Sequence, residues 1–264
     1  KVISGFLFYI LVLLKKTKVT KSMHPIILDN FTALLRAGAF NLKIESIEPM
    51  SAFKWAKLLD VAEKLDVKNY IEEGMHHYFS SDEMPVVISP KDSLRENNFD
   101  CSEACLYGPL SSRKFKKIYV DERHSMDTSV ESLKLLSLIV QNANLIITSD
   151  LSLSGIIAVG EYLRKLGNKV DFVKLNQWIE KLGIIEVSSF IGALLVELFD
   201  FDSDEIEFMT RKYANPLTHY YRLIDHALNE IHHFPTLSRL NIALIETTSY
   251  KVSNVLSRIL NVEE

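Results

Sequence analysis

The densest set of chemically capable side chains in this chain is Asp121, Glu122, Arg123, His124 and Asp127. Carboxylates beside an imidazole are the groups that move protons or hold a divalent cation. Just upstream, Arg113, Lys114, Lys116 and Lys117 make a compact positive run interleaved with Phe115 and Tyr119. Cations beside aromatic rings suit a phosphate or a nucleic-acid backbone. Ile118, Tyr119 and Val120 favour an extended chain, so FKKIYV over 115–120 reads as a short strand ending at the acids. A strand that feeds a helix N-terminus points free amides at a ligand. On that strand, however, Asp121 and Glu122 face opposite ways, whereas paired metal carboxylates need alternate positions. The competing reading is a solvated loop in which Asp127 caps the next helix and the lysines keep an edge strand from pairing further.

Other constellations lack a part. DFDSDEIEFMTR from Asp200 resembles a calcium loop in its acids, but Glu205 stands at the sixth position, where glycine is required, and Arg211 at the twelfth, where glutamate closes the site. Acids at a helix start are favourable without an ion. His76 and His77 are adjacent, as are His232 and His233, and neighbours on a helix do not converge on one ion. His219 and His226 are seven apart, with Arg222 and Asp225 close by; packing of a helix face is expected rather than an Asp225-assisted catalytic histidine. Cys101 and Cys105, the only cysteines, do not form a zinc pair and are expected to be reduced thiols in a cytoplasmic protein. No serine stands in a G-x-S-x-G elbow and no glycine-rich loop opens a helix. No metal site is expected.

The elements that must position these groups are helices. Nine glycines and seven prolines in 264 residues are few for a sandwich or barrel. The apolar fraction is 47% and the charged fraction 24%, ordinary for a globular chain. A net charge of -4 gives no overall attraction for a polyanion, so a general nucleic-acid binder is not expected. Helical spacing is clear over 26–40 and from Ser51, where Phe53, Trp55, Leu58, Leu59, Ala62 and Leu65 are read as one apolar face. A short helix is expected over 68–79. From Thr128 or Ser129 onward, stripes through Ile139, Ile156, Trp178 and Tyr220 predict further helices, with Asp171 as a cap and Gly167 and Gly183 as stops. Ile184 to Phe199 is apolar on nearly every side and predicts a central helix. A last helix is expected from Leu237 to Leu260. The expectation is a mainly α, multi-helical fold with at most a few short strands between about 80 and 125, Met84 to Ser89 being the second candidate. It divides into an N-terminal helical region over 1–79, an irregular linker over 80–127 and a C-terminal helical domain over 128–264. Val2 to Leu14 is apolar but shorter than the span of about 20 residues that a bilayer requires. It is expected to pack on the domain, on a protein partner or on a second copy, membrane association being the alternative.

Two stretches, Phe31 to Ile71 and Gly160 to Phe199, resemble helical parts of a nucleotidyltransferase-like family; together they cover roughly a third of the chain. The resemblance implies a Gly-Ser or Gly-Gly turn followed by Asp-x-Asp on a strand, holding a magnesium-bound nucleotide. Asp200-Phe201-Asp202 and Asp202-Ser203-Asp204 have the spacing but follow a long apolar stretch with no glycine turn. The expected function is therefore a non-catalytic helical binding or scaffolding protein without a cofactor, a relative that has lost the catalytic module. The alternative is a metal-dependent nucleotidyl- or phosphoryl-transfer enzyme. Its catalytic candidates are Asp121, Glu122, His124 and Asp127, its phosphate-binding candidates are Arg113, Lys114, Lys116 and Lys117, and its cofactors are magnesium and a nucleotide.

Overall fold

Asn30 sits in the middle of the first helix with only 2% of its surface exposed, an unusual place for an amide. Its Nδ2 donates to the Glu48 carbonyl at 2.8 Å, and its Oδ1 accepts from the Glu48 N–H at 2.9 Å. One side chain thereby satisfies both backbone groups of a residue in the irregular segment after this helix and binds that segment to it. The structure, a computed structural model, describes residues 25–80, 84–85, 106, 109–123, 130–148, 151–213 and 215–229. Among them the regular structure is helical, without a strand: α1 Pro25–Phe40, α2 Ala52–Lys64, α3 Lys68–Tyr78, α4 Pro109–Arg123, α5 Val130–Thr148, α6 Leu153–Leu166, α7 Phe172–Leu182, α8 Ile185–Phe199 and α9 Leu217–Asn229. Short 3₁₀ turns occupy Gly167–Lys169 and Ser203–Glu205.

The helix ends follow from local chemistry. Ser152 Oγ accepts from the Gly155 N–H at 3.1 Å and Asp171 Oδ1 from the Lys174 N–H at 3.0 Å, so α6 and α7 each start on a side-chain cap. Gly183 ends α7 with φ +73°, its N–H donating to the Glu180 carbonyl and that of Ile184 to Ile179. Those crossed bonds are a Schellman stop, and only glycine adopts this conformation without penalty. Gly167 is different: its φ of -57° is right-handed, and α6 tightens into the 3₁₀ turn instead of breaking. Asp202 begins the turn after α8, its N–H donating to Glu205 Oε2 at 2.9 Å.

α8 is the centre of the fold. Its residues from Val187 to Leu195, then Leu198 and Phe199, are buried, and α1, α5, α6, α7 and α9 all pack on it. α1 and α3 cross so closely that their backbones touch at Gly38 and Gly74. The apolar core runs without interruption from Ile27 to Leu228.

Two expectations are corrected. Residues 115–120 are part of helix α4 rather than a strand, while the second candidate, Met84 to Ser89, lies outside the described residues except for Met84 and Pro85. The physical reason is spacing: Ser112, Phe115 and Ile118 are buried three apart while Arg113, Lys114, Lys116, Lys117 and Val120 are exposed. Burial of that stripe against α5 and α7 outweighs the strand preference of Ile118, Tyr119 and Val120. Phe53 is the other correction. It is 75% exposed, because α2 turns Trp55, Leu58, Val61 and Ala62 inward and Phe53 lies about 200° from Trp55 around the axis. The first apolar segment, both cysteines and the helix expected over 237–260 lie outside the described residues.

Candidate functional site

α4 gathers most of the candidate residues on one element. Arg113, Lys114, Lys116 and Lys117 are all exposed on its outer side, and Phe115 and Ile118 anchor its inner side at 2% exposure each. Phe115 stacks at a tilt on Tyr119, with ring centroids 6.1 Å apart. Asp121 is exposed one turn after Lys117, and Glu122 is half-buried beside it. Successive residues on a helix diverge by about 100°, so these two carboxylates do not face a common ion. Among the described residues no group of three or more His, Cys, Asp or Glu side chains is placed to hold a metal. His124 and Asp127 lie outside the described residues.

A second polar feature was not apparent from residue spacing. Arg164 of α6 lies over both Phe40 and Phe201, 4.6 and 4.2 Å from their ring centroids, and donates to the Phe40 carbonyl at 3.4 Å. The two rings meet edge to face with centroids 5.1 Å apart, and the cation is attracted to both. Gly160, one turn earlier, makes room for this: a Cβ there would meet Phe40 and Phe201 Cζ at 2.7 and 3.0 Å. Nearby, Arg36 pairs with Asp200, which ends α8 in the left-handed region at φ +53°. Asp200 thus serves a helix terminus, as does Asp202.

A cleft of about 370 Å³ opens where α1 and α3 both end, lined by Asn41, Leu42, Lys43, Ile44, His77 and Tyr78. Its polar groups are partly engaged: His77 Nε2 lies 3.3 Å from Glu73 Oε1, and the Tyr78 hydroxyl accepts from the Ile47 N–H at 3.3 Å. Nothing in the residue pattern marks this cleft, because it forms where two helix ends meet.

His219 is the most perturbed imidazole. It is 7% exposed, edge-on to Phe190 at 5.4 Å and to Tyr213 at 6.4 Å, and its buried Nδ1 has no hydrogen-bond partner among the described residues. Burial first, and Arg222 second, push its pKa from 6.5 down to about 4. His219 therefore packs as a neutral aromatic group, the expected bland role. The side chain of His226 lies outside the described set. Because the folded pKa lies below the unfolded one, the unfolded chain takes up the proton first as pH falls. Stability contributed by neutral His219 is complete above pH 6.5 and declines towards pH 4 with a slope of up to about 1.4 kcal/mol per pH unit. We expect His219→Gln to flatten the urea midpoint between those pH values relative to the parent. Parallel pH profiles for the two proteins would contradict this.

Tyr220, which is buried, and Tyr70, which is half-buried, hold their phenols in the neutral form. Burial raises both pKa values; Glu161 adds to the rise at Tyr70, and at Tyr220 the Thr32 hydroxyl, 2.8 Å away, opposes it. No helix among the described residues is long and apolar enough to cross a membrane. No family model matches this chain, and neither a curated protein nor a solved structure is detectably similar to it.

Proposed function

We propose that this chain is a cytoplasmic helical binding or scaffolding protein, a non-catalytic relative of nucleotidyltransferases, and that the outer face of α4 is its docking surface for an acidic partner. The supporting observation is the division of α4 into an anchored side, Phe115 and Ile118, and an exposed side with four cations in five residues. A chain of net charge -4 that concentrates positive charge on one helix has a local field opposite to its overall one. Such a patch steers and orients an anionic partner more than it adds affinity. A short patch favours a short acidic protein segment over a nucleic acid, whose affinity grows with the number of phosphates contacted.

Calorimetric titration with poly-glutamate and, separately, with a magnesium–nucleotide complex tests the reading. Poly-glutamate should bind with an affinity that falls steeply with salt, and Lys116→Glu with Lys117→Glu should abolish it without changing the melt. Magnesium-dependent nucleotide binding, lost on Asp121→Ala or Glu122→Ala with the melt intact, would overturn the proposal in favour of the enzyme.

A further inference from the structure

We propose that the acidic segment docking on α4 belongs to a second copy of this chain, and that it is the turn from Asp202 to Glu207. The inference rests on α4 being the docking surface, as argued above. Asp202, Asp204, Glu205 and Glu207 are all exposed, four carboxylates in six residues, matching in number the four cations of α4. The turn is rigidly held. Ile206 and Phe208 are buried, Glu205 ties back to the Asp202 N–H, and the Glu207 carbonyl accepts from Asn176 Nδ2 at 3.1 Å. Its remaining carboxylates at Asp204 and Glu207, like the ammonium groups of Lys114, Lys116 and Lys117, form no ion pair among the described residues.

Both charged surfaces lie against the same helix. α4 packs on α7, and Asn176, which holds the acidic turn, is an α7 residue. One helix diameter, about 10 Å, therefore sets the scale of their separation. Two copies related by a two-fold axis can then place each basic face on the other's acidic turn, giving the same contact twice. Val173, 71% exposed in the first turn of α7, supplies an apolar group on the helix that both surfaces adjoin. Exposed ion pairs are individually weak, so the dimer should be dynamic and salt-sensitive.

Sedimentation velocity on the full chain over a concentration series decides it. We expect reversible dimerisation in low salt that is lost at about 1 M salt, where the screening length is about 3 Å. Lys116→Glu with Lys117→Glu, and separately Asp204→Lys with Glu207→Lys, should each weaken self-association at least about ten-fold by placing like charges together. An equimolar mixture of the two variants should restore it, because all-acidic and all-basic partners are complementary. The neutral pair Lys116→Gln with Lys117→Gln, checked by its melt, gives the same reading should a reversal not fold. A parent that stays monomeric in low salt overturns the proposal, as does association that salt strengthens or a mixture that fails to pair. If the parent is monomeric yet binds poly-glutamate at α4, the docking surface stands and the second copy is excluded as its occupant.

Discussion

Gly74→Ala will destabilise the protein by about 3 kcal/mol or more, and Gly74→Val will prevent folding. A Cβ on residue 74 overlaps the Leu34 carbonyl oxygen and lies 2.8 Å from its carbon and 3.0 Å from its Cα. On the facing helix, a Cβ on residue 38 overlaps the Tyr70 carbonyl oxygen and comes within 2.7 Å of the Gly74 nitrogen. These obstacles are backbone, so no rotamer change relieves them and α1 and α3 must separate. Separation withdraws Leu34, Leu35, Ile71 and Met75, all fully buried, from one another. Gly167 provides the control: it is right-handed, and the nearest side-chain atoms lie 4.0 Å from the position a Cβ would take there. Gly167→Ala should be neutral or stabilising by about 0.4–1 kcal/mol. Urea midpoints of the three proteins are the measurement; equal midpoints for Gly74→Ala and Gly167→Ala would show that the helices do not cross this closely.

Leu194→Ala should cost about 2–5 kcal/mol, and Leu195→Ala a similar amount. Both side chains are fully buried on α8, which is covered by five other helices. A helix enclosed on most sides has little freedom to collapse into the space a lost isobutyl group leaves, which places the cost toward the upper part of the range. An unchanged urea midpoint with an unchanged slope would mean that α8 is peripheral.

That centrality was legible in the residues, since an amphipathic surface helix carries a polar side and Ile184 to Phe199 has almost none. The caps at Asp171 and Gly183 were legible for the same kind of reason, each being a local arrangement within a few residues. α4 was not. Its inner stripe holds two large apolar side chains and one serine, a weak helical signal beside three consecutive strand-favouring residues, and its packing against α5 and α7 decides the matter. The α1–α3 crossing was equally hidden: Gly38 reads as a weak helix end, and its partner lies 36 residues away. The charges of the candidate site were visible as types, but their common outward face depends on α4 being a helix. Arg164 gave no local sign, since its two rings come from Phe40 and Phe201.

The ends of α1 and α8 each meet a cation that comes from another helix. α2, α6 and α7 carry a lysine or arginine in their last turn, where a cation offsets the partial negative charge of the terminal carbonyls. α1, α5 and α8 carry none. For α1 the cation is Arg164, which reaches the Phe40 carbonyl from α6; at the end of α8 it is Arg36, which from α1 pairs with the carboxylate of the C-cap residue Asp200. Each of these two helices is electrostatically complete only in the company of another, so their termini are finished by tertiary structure rather than by their own sequence.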